Sequence, residues 1–307
     1  MRFTIYNSFE NEMKGCIVLS FTIMTDSAAN LTTKQIVDYG VKVVTMSYVA
    51  NGEEFPSYVE GQEPDYKAFY NRLRSKEHIT TSLVSYDRVE ALLKTELEAG
   101  NDILYIAFSS ALSGSYQIAK NCMDDLREGY PDRKMIIVDS LCASLGQGLF
   151  VKYAVDMKNS GATLEDTAAW LEENKLRLVH LFTVDDLFFL KRGGRLSGAT
   201  AVVGTILNIK PLLHVSDEGK LVSTGKTRGR KNSIDQLIAR MGEVGQDLEN
   251  QEIFIVHGDC IEDAEYAANE IKRLYKVKNI VINYVDPVIA CHSGPGTLAL
   301  FCLGSVR

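Results

Sequence analysis

Four short segments carry the side chains best able to do chemistry. Ile79-Thr80-Thr81-Ser82 sets hydroxyls in a row ahead of a helical pattern that starts near Tyr86. Ser109-Ser110-Ala111-Leu112-Ser113-Gly114-Ser115-Tyr116-Gln117 joins a strand pattern to a helical one. Leu190-Lys191-Arg192-Gly193-Gly194-Arg195-Leu196-Ser197-Gly198 gathers three cations around adjacent glycines. Ala290-Cys291-His292-Ser293-Gly294-Pro295-Gly296-Thr297 puts a histidine beside a turn fixed by two glycines and a proline. Any single hydroxyl here can be explained as a helix cap. Four such segments in one chain are harder to explain that way.

Several chemistries are excluded by spacing. Gly219-Lys220-Leu221-Val222-Ser223-Thr224-Gly225-Lys226-Thr227 resembles a phosphate loop, but five residues separate its glycines and it falls in a hairpin pattern. There is no G-x-G-x-x-G for a dinucleotide and no G-x-S-x-G elbow for a serine nucleophile. His78, His180, His214 and His257 lack the partner spacing of a triad or a metal site and read as structural or exposed. The six cysteines form no C-x-x-C pair, which argues for reduced thiols, a cytoplasmic protein and no metal. A net charge of −7 speaks against nucleic acid, which calls for clustered positive charge.

The elements that must position these segments follow from periodicity. The 307 residues exceed one ordinary core, and 46 % hydrophobic with 24 % charged residues is a globular mix. Strand-like runs at Leu19–Met24, Val41–Tyr48, Asp102–Phe108 and Lys134–Val138 alternate with helical patterns at Asp65–Arg74, Tyr86–Glu98 and Tyr116–Glu128. Strands separated by helices require crossovers, hence a parallel sheet. The helical pattern continues through Leu145–Lys158 and Leu164–Leu176. Strands are then expected at Leu178–Val184, Lys210–Val215, Lys220–Gly225, Ile253–Val256 and Ile280–Val285, with a hairpin turn at Asp217-Glu218-Gly219 joining Lys210–Val215 to Lys220–Gly225. Helices at Lys231–Met241 and Glu262–Tyr275 complete the second half. The expected architecture is α/β in two domains: an extension over 1–14, an N-terminal parallel-sheet α/β/α domain over 15–172, and a C-terminal mixed-sheet α/β domain over 173–307. The apolar run Gly15–Met24 is too short for a membrane span and reads as a buried first strand.

From Thr25-Asp26-Ser27 through R-G-G-R-L-S-G at 192–198 to His292-Ser293-Gly294-Pro295-Gly296, the chain resembles the DegV family, the fatty-acid-binding subunit type of bacterial fatty acid kinase. The resemblance implies a long-chain fatty acid such as palmitate buried at the junction of two α/β domains. It also implies a non-enzymatic role, presenting that acid to a separate kinase, with no cofactor beyond the acid and with transient membrane contact admitted. Carried over by position, Thr81, Ser113 and His292 match residues at the carboxylate, with Ser82 and Ser110 beside them. Arg192 and Arg195 match a basic segment facing the kinase or a phosphate. One departure is plain: where the family reads T-S-Q-P-S, this chain has Thr81-Ser82-Leu83-Val84-Ser85, which removes a polar anchor and a preset helix start.

Hydroxyls would hold a carboxylate without the fixed ion pair of an arginine fork, leaving it a better nucleophile. A histidine with an ordinary pKa near 6.5 would balance its charge. Two other readings stand beside this one: an enzyme component related to the substrate-binding half of dihydroxyacetone kinases, and a lipid-sensing regulator with no kinase step.

Overall fold

The computed structural model describes residues 21–197 and 208–307. The expected extension over 1–14, the start of the first apolar run at 15–20, and Gly198 lie outside the described residues.

In chain order the first half contains β1 (Phe21–Asp26), α1 (Thr33–Tyr39), β2 (Lys42–Val44), β3 (Ser47–Ala50), β4 (Glu53–Pro56), α2 (Tyr66–Arg74) and β5 (Ile79–Ser82). It continues with α3 (Tyr86–Glu98), β6 (Asp102–Ala107), α4 (Ser115–Leu126), β7 (Met135–Asp139), α5 (Leu145–Asn159) and α6 (Leu164–Asn174). Strands β2-β1-β6-β7 form a wholly parallel sheet. Every residue of β1 and β6 is buried because helices cover both faces. Leu104 and Ile106 pack with Leu149, Phe150 and Leu171 of α5 and α6, while Ile103 and Tyr105 pack with Val89, Leu93 and Met123 of α3 and α4. Successive residues of one strand thus enter opposite cores.

The second half contains β8 (Leu178–Thr183), α7 (Leu187–Arg192), β9 (Ile209–Val215), β10 (Leu221–Arg228), α8 (Arg230–Val244) and β11 (Glu252–His257). After these come α9 (Ile261–Tyr275), β12 (Asn279–Tyr284), α10 (Pro287–Ser293) and β13 (Leu298–Leu303). Its sheet has the order β10-β9-β8-β13-β11-β12, parallel only between β11 and β12. The fold is therefore mixed α/β, a parallel sheet under helices followed by a mixed sheet. The expected 172/173 division falls inside the last turn of α6, which runs to Asn174.

The structure departs from the expected elements in several places. The run Val41–Tyr48 is two strands, not one: β2 pairs with β1, whereas β3 turns away into a small antiparallel sheet of order β4-β3-β5. The break is held by the Ser27 hydroxyl, which accepts the Met46 N–H at 2.9 Å. Ile79–Ser82, read as a hydroxyl-rich approach to a helix, is strand β5, with Thr81 opposite Tyr48. Strand β13, unassigned from sequence, is central to the second sheet, and its run Leu-Ala-Leu-Phe-Cys-Leu is buried almost throughout. Strand β4 and helices α1, α7 and α10 are likewise absent from the sequence pattern; the three helices are only 6 or 7 residues long, too short to show helical periodicity. The hairpin at Asp217-Glu218-Gly219 is present, with Gly219 at φ +75°.

Candidate functional site

A cavity lies between the second sheet and the strands and loops of the first half. Its floor is one face of the second sheet. His180 and Phe182 of β8 stand opposite Phe301 and Ala299 of β13, and all four line it. Side chains alternate along a strand, so Thr297, Ala299 and Phe301 share this face while Leu298, Leu300 and Cys302 enter the core beneath α8 and α9. From Thr297 to Phe301 the floor extends about 13 Å, at ~3.3 Å per residue.

Most of the polar groups gather at the Thr297 end, His180 and Ser144 excepted. Strand β5 delivers Thr81, and the last turn of α10 delivers His292; Thr81 Oγ1 and His292 Nε2 are 2.9 Å apart. Both line the cavity, together with Ser82, Ser113 and Arg195. Gly193 explains how the glycine pair reaches this place: a Cβ there would lie 2.2 Å from His292 Nδ1, so only glycine lets the loop approach the ring. The turn after α10 needs Gly294 at φ +79°, where a Cβ would strike the Phe189 ring at 2.6 Å. Burial, and after it the charges of Arg195 and Arg192, hold His292 down to about 4. The expectation of a histidine titrating near neutrality is thereby corrected: this ring is neutral at pH 7. When Nε2 carries the proton it donates to Thr81, which frees the threonine proton for a ligand oxygen.

Ser113 is buried and belongs to a short relay. The Val84 N–H donates to Ser115 Oγ at 3.2 Å, and the two serine hydroxyls are 2.9 Å apart. Ser115 Oγ accepts from Val84, and when its own proton goes to Ser113 Oγ, the Ser113 proton is left for the cavity. Here the departure from T-S-Q-P-S acquires a structural meaning. A proline at 84 has no N–H to give, whereas Val84 supplies one and buries its side chain in the α3/α4 core. Leu83 leans on Gly114, where a Cβ would lie 3.2 Å from it.

The remaining candidates separate. Ser110 is exposed and outside the cavity wall; its N–H donates to Asp139 Oδ1 at 3.1 Å. Arg195 lies in the wall, donating from Nε to Leu112 O at 3.2 Å and from Nη1 to Gly193 O. Arg192 is exposed on α7, its guanidinium 5.1 Å from the Phe189 ring centre and 5.8 Å from that of Phe188. The hydroxyls and carboxylates at the ends of β1 and β7 are committed to the scaffold. Asp26 accepts the Phe108 N–H at 2.9 Å and the Ala28 N–H at 3.1 Å, and Ser140 donates to Ala107 O at 2.6 Å.

Ser115 and His180 are among the residues at the site that sequence reasoning missed. Ser115 stood in a quoted segment, two residues past Ser113, and only its bond to Val84 marks it. His180, read as structural or exposed, is buried in the cavity floor. Its Nδ1–H donates to Leu178 O at 2.9 Å and Nε2 accepts the Ala143 N–H at 3.2 Å, which fixes the tautomer. Among the described residues, no cluster of three His, Cys, Asp or Glu side chains is placed to hold a metal, and no helix is long and apolar enough to cross a membrane.

Comparison with known proteins adds to this geometry. Residues 20–304 match the family described as "Uncharacterised protein, DegV family". A DegV domain-containing protein of Clostridium perfringens is 42 % identical, covering 94 % of this chain and 98 % of its own. A DegV family protein of Thermus thermophilus, whose solved structure is described by its fatty acid binding, superposes with a TM-score of 0.83 at 28 % identity, covering 93 % of this chain and 99 % of its own. DegV of Bacillus subtilis, described as a fatty acid binding protein, gives 0.79 at 28 % identity over the same shares.

Proposed function

The chain belongs to the DegV family, and on that premise we propose that it binds a long-chain fatty acid in this cavity and presents the carboxylate to a separate kinase for phosphorylation to an acyl phosphate. The observation that carries the reading is the polarity of one space: a mostly apolar floor along β8 and β13, broken at its Phe301 end by His180 with both ring nitrogens bonded to backbone, and a cluster of hydroxyls with His292 at the Thr297 end. Relatives of known structure bind fatty acids with the same fold.

The energetics divide between the two parts of such a ligand. Burying about 14 methylenes at ~0.8 kcal/mol each gives roughly 11 kcal/mol gross, against an association cost on the order of 4–15 kcal/mol. The tail thus supplies most of the affinity. Each hydroxyl bond to the carboxylate adds about 1.5–3 kcal/mol and sets which end faces the mouth. Thr81 and Ser113 serve as those donors, Ser82 lies alongside, and neutral His292 orients Thr81. Arg195 borders the head group, and exposed Arg192 faces the kinase or the phosphate it delivers. The lobes are taken as residues up to 172 and from 173, with the acid at their junction, in a cytoplasmic protein that has no active site of its own.

Mass spectrometry of ligand extracted from the purified protein tests the binding reading. A C14–C18 acid supports it; a small polar metabolite sinks it and favours the dihydroxyacetone-kinase-like alternative. Acyl phosphate formation with a cognate kinase and ATP separates a carrier from a lipid sensor.

A further inference from the structure

Ser293 is 5 % exposed and lines the cavity, yet its hydroxyl has no hydrogen-bond partner among the described residues. A buried hydroxyl left unpaired is costly, and a helical serine ordinarily relieves the cost by donating to the carbonyl four residues back. Ser293 does not. Its neighbour Thr297 shows the satisfied state, its hydroxyl lying 3.0 Å from Ser293 O and 2.8 Å from Gly294 O.

Resting on the fatty-acid reading, we propose that Ser293 is a further positioning residue for the ligand, its hydroxyl donating to the carboxylate beside Thr81 and Ser113. The placement fixes which part of the ligand it meets. Ile289, His292 and Ser293 stand at i, i+3 and i+4 on α10, and all three line the cavity. The Cα of Ser293 follows that of His292 by about 3.8 Å, so its hydroxyl belongs to the head-group end and not to the tail. A carboxylate offers about four acceptor sites, and Thr81 and Ser113 contribute one proton each. Arg195 already spends Nε and Nη1 on Leu112 O and Gly193 O. A buried carboxylate with idle lone pairs is unfavourable, and the spare donor of Ser293 answers that need. The same contact relieves the orphaned hydroxyl.

Palmitate labelled with carbon-13 at its carboxyl gives the test, read by affinity and by the bound carboxyl resonance. Ser293→Ala is expected to weaken palmitate binding about tenfold and to shift that resonance. Ser293→Thr and Ser293→Val form a pair matched in shape and differing in the hydroxyl: the threonine variant keeps affinity within about threefold and the valine variant follows alanine. An unchanged resonance and affinity in Ser293→Ala, or equal behaviour of the matched pair, overturns this assignment while leaving fatty acid binding intact. Failure of the unsubstituted protein to bind palmitate overturns the fatty-acid reading itself, and this assignment with it.

Discussion

Thr81 Oγ1 lies 2.9 Å from His292 Nε2, joining a strand of the small antiparallel sheet to a helix 211 residues further along the chain. Neither partner is charged at pH 7, since His292 is held down to about 4. The pair therefore presents a carboxylate with an oriented dipole instead of an ion pair. Thr81→Ala is expected to weaken fatty acid binding by about 1.5–3 kcal/mol, tenfold or more, whereas Thr81→Ser loses little. Calorimetric titration with palmitate measures both, and equal affinities for the alanine and serine variants would remove Thr81 from the head-group contact.

The two arginines of the 192–195 segment should not behave alike. Arg192→Glu, on the exposed face of α7, is expected to lower acyl phosphate formation by the partner kinase while leaving palmitate affinity within about twofold. Arg195→Glu breaks a bond to Leu112 O and puts a carboxylate in the cavity wall, so both activities fall. Parallel binding and kinase assays distinguish the variants; a shared profile would mean that the two act as one surface.

Ser115 acts on the ligand through Ser113. Ser115→Ala removes the acceptor of the Val84 N–H and the partner of the Ser113 hydroxyl, and about a threefold to tenfold loss of affinity is expected from a proton no longer aimed at the cavity. Val84→Pro removes the N–H and keeps Ser115, at the cost of repacking a buried side chain, and should give a smaller loss of the same sign, with a thermal melt alongside to register the repacking. If Ser113→Ala and the double variant with Ser115→Ala differ in affinity as much as Ser115→Ala does from the unsubstituted protein, the relay is not operating.

Ala299 sits in the middle of the cavity floor between Phe182 and Val256. Ala299→Phe fills the path of a long tail and should cut palmitate affinity more than tenfold while an eight-carbon acid is affected far less. Because overfilling a packed region costs about 1–3 kcal/mol, a thermal melt accompanies the titration. Equal losses for both acids would move the tail elsewhere.

Burial first, and the charge of Arg307 next, depress the pKa of His180 from its usual 6.5 to about 3. The folded state thus favours the neutral ring, so the unfolded chain binds the extra proton. His180 contributes stability that is whole above about pH 6.5 and drains as pH falls toward 3. His180→Phe orphans Leu178 O and the Ala143 N–H, costing about 1–3 kcal/mol per group at pH 7. The gap between the two proteins should narrow by pH 4.5. The carboxyls of Asp26 and Asp286, pushed up to about 6 and 7, titrate in both proteins alike and cancel in the difference. A constant gap from pH 7.5 to 4.5, measured by urea unfolding, would mean that the ring titrates normally.

Much of this molecule was legible from residue order, because local patterns obey local physics. Continuous apolar runs separated by helical periodicity announced the α/β class. Asp217-Glu218-Gly219 announced its hairpin, and the resemblance to the DegV family singled out Thr81, Ser113 and His292 as candidates. Other features depend on contacts that no window along the chain contains. The split of Val41–Tyr48 between two sheets is enforced by Ser27, some twenty residues earlier. Strand β13 becomes central only once β8 and β11 lie on either side of it. The neutrality of His292, the separation of Arg195 from Arg192, and the unpaired hydroxyl of Ser293 belong to the assembled cavity. The first arises from desolvation and from charges brought near by folding, the other two from which groups the fold sets within reach, and those are properties of a place in space and not of a position in sequence.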